Sequence, residues 1–230
     1  MTVEQATRLI LGRPGTQNLG QVGEALQSYR KSESLREEIR KQSKQPAEFL
    51  AATEHLAESY AKLSATLRAT GDTAAALGYE HKALGMRQAL YEGDPSNVTR
   101  KRSLAGNLTT LSGSLSQLGQ WASVMETRGE ALKMWEEIAT QDPANVGDQR
   151  SLGLALARMG SIELHENRLK DSLAHYQRAL TVNLAILERD PSNVQYRLTA
   201  GAAYTNYGSI LHRLGRWPEA LEEYRKGRLY

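Results

Sequence analysis

The sequence predicts an all-α fold of stacked antiparallel helix hairpins, and three observations support this prediction. A five-residue segment that begins with Asp-Pro recurs at intervals of 48 residues. The segments between its copies are rich in Leu, Ala, Glu, Arg and Gln, with apolar residues three and four positions apart. Alternating runs of β-branched and aromatic residues, which are typical of strands, do not occur. A single helical hairpin cannot bury its apolar stripe alone, so we expect the hairpins to stack into a solenoid.

Two markers define the repeat. The Asp-Pro segment covers residues 94–98, 142–146 and 190–194. A second series of turn residues has the same interval and consists of Gly71, Gly119, Asn167 and Gly215. Asn fits this series because it is the residue after Gly that best tolerates the left-handed conformation at a helix end. Two markers with one period predict two helices in each repeat.

The same residues predict where each helix begins and ends. Prolines at 95, 143 and 191 separate consecutive helices, whereas prolines at 46 and 218 suit the first turn of a helix, where the missing N–H has little effect. The predicted N-caps are Ser96, Asn97, Asn145 and Asn193. The ten predicted helices cover residues 2–11, 21–43, 47–70, 73–92, 97–118, 121–141, 145–166, 169–189, 193–214 and 217–228.

The helices are grouped into repeats by the same markers. Residues 1–20 form an N-terminal partial repeat and loop, and residues 21–230 form the repeat array. The predicted units of the array are residues 21–46, 47–94, 95–142, 143–190 and 191–230.

Composition excludes several classes of function. The 29 basic and 26 acidic residues give a net charge of +3, which does not favour nucleic-acid binding. The absence of cysteine excludes disulfides, thiolate zinc sites and iron–sulfur clusters. No apolar run approaches the roughly 18 residues of a membrane span, and the first 20 residues lack the apolar core of a signal peptide. We therefore expect a soluble, cytoplasmic chain without membrane insertion, metal or cofactor.

Histidines provide the main argument for an enzyme. The pair His165-Glu166 invites comparison with a zinc-protease motif, but Leu169 occupies the position four residues after His165. His175 and His212 lie on other predicted helices. An enzyme that uses these three histidines remains a distant alternative, and we predict no catalytic residue.

The last unit resembles a tetratricopeptide (TPR) repeat. It carries the first-helix pattern of aromatic, Gly and bulky residues and the second-helix pattern of small and aromatic residues, at Tyr204, Tyr207, Gly208, Leu211, Ala220, Tyr224 and Gly227. Earlier units match with substitutions by polar residues, at Ser64, Glu80, Ser112, Arg128 and Glu163. The resemblance covers about residues 12–230. It implies a right-handed superhelical solenoid.

The long period suggests a particular kind of TPR protein. A period of 48 residues exceeds the usual ~34, which adds about two turns to each helix. Long helices, Asp-Pro-x-Asn loops and the segment 18–31 resemble the repeat region that follows the catalytic domain in many bacterial serine/threonine protein kinases. The chain itself is not expected to be a kinase, because it has no Gly-rich nucleotide loop, His-Arg-Asp loop or Asp-Phe-Gly motif.

The resemblance also implies a binding function. Side chains on the concave face of the first helices do not pack between helices, and they form a polar groove for a protein or peptide partner. The predicted partner-binding residues are Lys62, Arg68, Thr109, Gln117, Arg158, His165, Asn206, His212 and Arg213. Their positive charges favour a partner with acidic groups. The alternative is self-association, with a homodimer formed through solenoid ends that lack a polar cap helix.

Overall fold

The computed structural model describes residues 19–42 and 45–230. These residues form nine α-helices and no strand, which confirms the predicted all-α class. The helices are α1 Leu19–Gln42, α2 Pro46–Ala69, α3 Thr73–Gly93, α4 Val98–Gln117, α5 Trp121–Gln141, α6 Val146–His165, α7 Leu169–Arg189, α8 Val194–Arg213 and α9 Trp217–Gly227. The predicted helix at residues 2–11 lies outside the described residues.

Asparagine side chains begin the helices that follow the Asp-Pro segments. Asn97 Oδ1 accepts the backbone N–H of Arg100 at 3.2 Å, and Asn145 Oδ1 accepts that of Asp148 at 3.1 Å. Asn193 caps α8 in the same way. The prediction that Ser96 is a cap was wrong, because its hydroxyl donates instead to Asp94 Oδ1 at 2.7 Å. Asn is therefore the residue that satisfies the first free N–H groups of α4, α6 and α8.

Left-handed residues end the helices that precede the short turns. Gly71, Gly119 and Gly215 have φ values of 87°, 71° and 76°, and Asn167 has a φ of 58°. In each turn the following residue donates its N–H to a carbonyl five residues back, as Arg168 does to Glu163 at 2.7 Å. This pattern is the Schellman ending of a helix. It confirms the prediction that Asn167 takes the place of glycine.

The described residues fall into two compact units, which divide between Gln120 and Trp121. The first unit contains α1 to α4, with successive helices packed on one another. Its core includes Tyr29 on α1, Leu56, Tyr60 and Leu63 on α2, and Ala83 on α3, all at most 2% exposed. The second unit contains α5 to α9. There, close packing of α6 on α7 and of α8 on α9 depends on glycines that face aromatic rings, Gly160 against Tyr176 and Gly208 against Tyr224.

Two of the repeat positions that carry unexpected polar residues contain buried carboxylates. Glu80 on α3 accepts a hydrogen bond from Ser114 Oγ at 2.9 Å and lies 3.4 Å from Arg68 Nε. Glu163 on α6 lies 2.6 Å from His175 Nδ1. Each carboxylate is at most 1% exposed. Polar partners on neighbouring helices therefore replace the apolar contacts that the repeat pattern would supply.

Candidate functional site

The first unit contains a cavity of about 470 Å³ between α2, α3 and α4. Glu54 and Glu58 reach it from α2, Arg87 reaches it from α3, and Arg100 and Ser103 reach it from α4. Most of the lining belongs to first helices of the repeat, α2 and α4. We refer to this space as the first cavity.

The second unit contains a cavity of about 390 Å³ between α6, α7 and α8. Arg150 and Leu154 line it from α6, Asn183 from α7, and Thr199 and Asn206 from α8. Small residues complete the walls, at Gly147, Gly153, Ala157, Ala202 and Ala203. We refer to this space as the second cavity.

The two cavities occupy the same place in the repeat. Their lining residues correspond pairwise at a distance of two 48-residue intervals, as in Glu54 and Arg150, Glu58 and Leu154, Arg87 and Asn183, and Ser103 and Thr199. In both cavities two first helices supply the walls, and one second helix supplies a polar side chain between them. The fold therefore builds the same kind of recess in each unit, with a different chemical lining.

Both carboxylates of the first cavity already have a cationic partner. Glu54 Oε1 accepts a hydrogen bond from Arg100 Nε at 3.2 Å. Glu58 Oε1 lies 2.8 Å from Lys62 Nζ, and this hydrogen bond is the largest cause of a lowered pKa of Glu58. Arg100 also donates to the carbonyl of Leu90 at 3.3 Å. These contacts balance the charges at the sides of the cavity.

Arg87 differs from the other charged residues of this cavity. Within the described residues its guanidinium makes no hydrogen bond and no ion pair, and the negative charge of Glu58 is the electrostatic influence that favours its charged form. Burial is the larger effect and lowers the pKa of Arg87. Arg87 is thus a partly desolvated cation that faces an open space.

The second cavity is lined mainly by uncharged groups. Asn183 is 6% exposed and donates Nδ2 to the carbonyl of Ala179 at 2.8 Å. A Cβ at Gly153 would lie 3.1 Å from Asn183 Oδ1, so this glycine leaves room for the amide. Leu154 contributes an apolar side chain that is 48% exposed, and Arg150 lies 6.0 Å from the centre of the Tyr196 ring. The cavity therefore combines amide groups with small apolar surfaces.

Asn206 is the predicted partner-binding residue that lines one of these two cavities. Three others interact with nearby side chains. Lys62 pairs with Glu58, Arg68 lies beside Glu80, and Gln117 Oε1 accepts a hydrogen bond from Thr73 Oγ1 at 3.1 Å. Lys62 lies four residues after Glu58, so it continues the helix face that forms the first cavity.

The remaining predicted residues lie elsewhere on the first helices. Thr109 donates its hydroxyl to the carbonyl of Ala105 at 2.8 Å. Arg158 is part-buried and lies four residues after Leu154, on the same face of α6. The exposed residues near the helix ends are His165, His212 and Arg213. His165 stacks on Trp121 with ring centres 4.1 Å apart.

Arg87 and Asn183 are not among the binding residues predicted from the sequence. The predicted residues lie on first helices, whereas Arg87 and Asn183 lie on second helices. A signal was present, because the same register position holds Arg87, Trp135 and Asn183 in successive repeats. A position that alternates between charged, aromatic and amide side chains is not simply part of a uniform apolar core.

Residues 19–42 and 45–230 contain neither a metal-binding cluster nor a helix that could span a membrane. No group of three or more His, Asp or Glu side chains in these ranges could hold a metal ion. No helix in this part of the chain is long and apolar enough to cross a membrane.

Comparison with known proteins identifies the class of repeat. Residues 56–96 match the family model for the tetratricopeptide repeat. This segment covers most of α2 and all of α3, the hairpin that forms part of the first cavity. The chain therefore contains a TPR, although the match covers less than half of its length. No curated protein matches the sequence significantly.

Several solved structures are similar in fold to this chain. It is similar to apo RapI, with a TM-score of 0.66 and 15% identity over 91% of this chain and 49% of RapI. It is similar to aspartyl phosphate phosphatase F from Bacillus subtilis, with a TM-score of 0.60 and 19% identity over 90% of this chain and 45% of that protein. This chain thus spans about half the length of each.

A further structural match includes almost the full length of both chains. A putative kinesin light chain from Podosopora anserina with nearly identical TPR-like repeats gives a TM-score of 0.58 and 16% identity over 99% of this chain and 92% of that one. The fold is that of the TPR-like helical repeat proteins.

Proposed function

We propose that this protein is a non-catalytic interaction scaffold that binds an extended segment of a partner protein in grooves formed by its first helices. The observation that supports this proposal most directly is the pair of equivalent cavities in the two units. Within each unit the recess lies between two first helices, and a recess of this kind suits a segment of an extended chain.

The linings of the cavities favour a peptide over a small metabolite. Asn183 and Asn206 carry amides, which can both donate to and accept from a peptide backbone. The small residues of the second cavity let a backbone approach closely, and Leu154 provides a contact for an apolar side chain. This combination is suited to main-chain recognition with a modest side-chain preference.

Within each unit the proposed binding surface extends along the first-helix faces beyond the cavity. It includes the residues predicted from the sequence, Lys62, Arg68, Thr109, Gln117, Arg158, His165, Asn206, His212 and Arg213. Six of the nine are Lys, Arg or His at the first-helix faces or ends, and their charge supports a partner with acidic groups.

Selection of binding peptides from a displayed random library tests this proposal on the full chain. We expect peptides that bind the wild-type protein, and we expect Leu154→Arg to weaken binding at the second cavity about tenfold or more, because it places a bulky cation in the recess. Leu35→Arg is the matched control, since Leu35 is similarly exposed at 54% but does not line either cavity. Equal binding by both variants, or no selected peptide at all, would contradict the proposal.

We also infer that the scaffold is a regulatory module of a bacterial signalling protein. The Asp-Pro-x-Asn loops and the 48-residue period, which resemble the repeat regions of bacterial serine/threonine kinases, support this inference. The reading frame of the gene upstream of Met1 provides the test. A kinase catalytic domain in the same frame is the expected result, and an unrelated upstream gene with its own stop codon would contradict the kinase association.

Self-association is the second candidate function, and exposed apolar residues near the C-terminal helix support it. Trp217 and Leu221 on α9 are 66% and 50% exposed, and Leu229, which follows the helix, is 73% exposed. Apolar groups of this size in one region are typical of contact surfaces. This candidate predicts a dimer in the absence of any other partner.

A further inference from the structure

We propose that Arg87 determines the specificity of the first cavity, where it binds the carboxylate of a glutamate or aspartate side chain on the partner segment. This inference rests on the proposed function and gives it a chemical preference at one position. The residue that recognises the carboxylate belongs to a second helix and lies between two first helices.

The first argument is the position of Arg87 in the repeat. Arg87 on α3 and Asn183 on α7 occupy the same register position, and each reaches the cavity of its own unit. The residue between them in the series, Trp135, is 8% exposed. On the first helices the charge also changes, from Glu54 to Arg150 and from Glu58 to Leu154, whereas Ser103 to Thr199 is a small change. Among the lining residues that second helices supply, the change from Arg87 to Asn183 therefore alters the chemistry of the cavity most.

The second argument is the charge balance of the first cavity. The carboxylate of Glu54 is hydrogen-bonded to Arg100, and that of Glu58 to Lys62. Arg87 makes no hydrogen bond or ion pair with any described residue. A cation that has lost part of its water without gaining a hydrogen-bonded partner is unfavourable, and an incoming carboxylate would supply that partner.

The geometry of the guanidinium makes a carboxylate the suitable ligand. Arginine presents a planar set of N–H donors that can hold both oxygens of a carboxylate at once. The cavity of about 470 Å³ has room for a glutamate side chain next to the guanidinium of Arg87. Asn183, at the same register position in the second cavity, carries no charge. The cation of that cavity, Arg150, belongs to a first helix and lies 6.0 Å from the centre of the Tyr196 ring.

Glu58 limits the strength of this interaction. Its negative charge acts on Arg87 and would repel an incoming carboxylate. The Lys62 side chain holds Glu58 at 2.8 Å and reduces this repulsion. Removal of the Glu58 charge should therefore strengthen the binding of an acidic ligand.

The first experiment observes Arg87 directly. The arginine side-chain N–H signals of the full chain are recorded by NMR during titration with N-acetylglutamate methylamide and, as the matched neutral probe, N-acetylglutamine methylamide. The Arg87 signal is assigned by its loss in Arg87→Gln. We expect it to shift with the glutamate compound and not with the glutamine compound. An equal response to both compounds, or no shift at saturating glutamate compound, would overturn the proposal.

The second experiment uses peptides that contain either Glu or Gln at a single position. Arg87→Asn should weaken binding of the Glu peptide about tenfold to a hundredfold, as expected for the loss of a charged hydrogen-bonded pair, and leave the Gln peptide unchanged. Glu58→Gln should strengthen binding of the Glu peptide. The controls are Lys170→Gln and Glu188→Gln, which alter exposed charges on α7 that do not line either cavity.

The outcomes separate this inference from the proposed function. Peptides that bind equally well to wild type and Arg87→Asn would leave the scaffold function intact and overturn the role of Arg87. Free glutarate that binds as tightly as the Glu peptide would overturn the assignment of the site to a partner protein. Tighter binding of the Glu peptide by Asn183→Arg would show that this register position is sufficient to transfer the preference.

Discussion

At the level of single residues, side-chain size is matched between the two helices of a hairpin. Gly208 lies against Tyr224 and Gly160 against Tyr176, whereas the corresponding positions earlier in the chain hold the polar residues Glu80 and Arg128 instead of tyrosine. A glycine opposite an aromatic ring lets two helix backbones approach closely. Where Glu80 and Arg128 replace the tyrosine, Ser64 and Ser112 replace the glycine, so the two facing positions change together.

The Gly208 contact gives a prediction about stability. A Cβ at this position would lie 2.8 Å from the Tyr224 ring, so Gly208→Ala should destabilise the protein by about 1 to 3 kcal/mol through overpacking. Urea unfolding measures the change. Gly78→Ala is the matched control, because Gly78 is also within a helix but a Cβ there meets nothing within 4 Å. The control should raise stability by about 0.5 to 1 kcal/mol. Equal effects of the two substitutions would contradict the packing argument.

Buried Glu80 gives a prediction about pH. Burial raises the pKa of Glu80 above its ordinary value of 4.5, although the Ser114 hydrogen bond and the charge of Arg68 oppose this shift. The unfolded chain therefore loses this proton at a lower pH than the folded chain, and the contribution of Glu80 to the free energy of unfolding falls as the pH rises above 4.5. Glu80→Gln should remove this fall.

Urea unfolding of wild type and Glu80→Gln at a series of pH values tests the effect. The stability of the variant relative to wild type should increase as the pH rises from about 4 towards neutrality. Glu188→Gln, a change at an exposed glutamate, should show a difference that stays nearly constant. If the stability difference between Glu80→Gln and wild type were also independent of pH, the inference that burial raises the pKa of Glu80 would be wrong.

At the level of secondary structure, the caps and turns fix the length of the helices. Val98, Val146 and Val194 each begin a first helix directly after an asparagine cap. Left-handed residues end the same helices a fixed distance later. Because both signals are local, the lengths of these helices do not depend on the side chains that pack between them.

The caps give a prediction for a whole helix. Asn145→Ala removes the acceptor for the Asp148 N–H and should lower stability by about 1 kcal/mol, the usual effect of losing such a cap. Gln45→Ala is the matched control, since Gln45 precedes α2 but its side chain makes no capping hydrogen bond. The change at Gln45 should be close to zero. Thermal unfolding compares the two, and a similar loss in both would contradict the capping role of Asn145.

At the level of the whole molecule, the two candidate functions predict different masses in solution. A scaffold that binds its partner in the cavities should sediment as a monomer over about a hundredfold range of concentration, and Leu221→Glu should sediment in the same way. A concentration-dependent dimer that Leu221→Glu converts to a monomer would instead assign the exposed apolar residues of α9 to self-association. Leu35→Glu, at another exposed leucine, is the control for a general effect of added charge.

The sequence by itself determined the all-α class and, to within two residues, the bounds of the described helices. These features follow from proline, glycine and asparagine signals that act within one turn of the chain, so no knowledge of distant contacts is needed. The agreement at Asn167 shows this, because its left-handed conformation was expected from the repeat and is present in the structure. Asn206, which the resemblance to the TPR repeat places in the groove, lines the second cavity.

Only the tertiary structure decided which side chains surround the cavities. Arg87 and Asn183 reach them because a second helix packs against two first helices, and this depends on contacts between residues far apart in the chain. The same packing holds Lys62 against Glu58 and buries Glu80 beside Arg68, so that charges on helix faces are balanced within the protein. Periodicity identifies the face of a helix on which a residue lies, but the neighbouring helices determine whether its charge is available to a ligand.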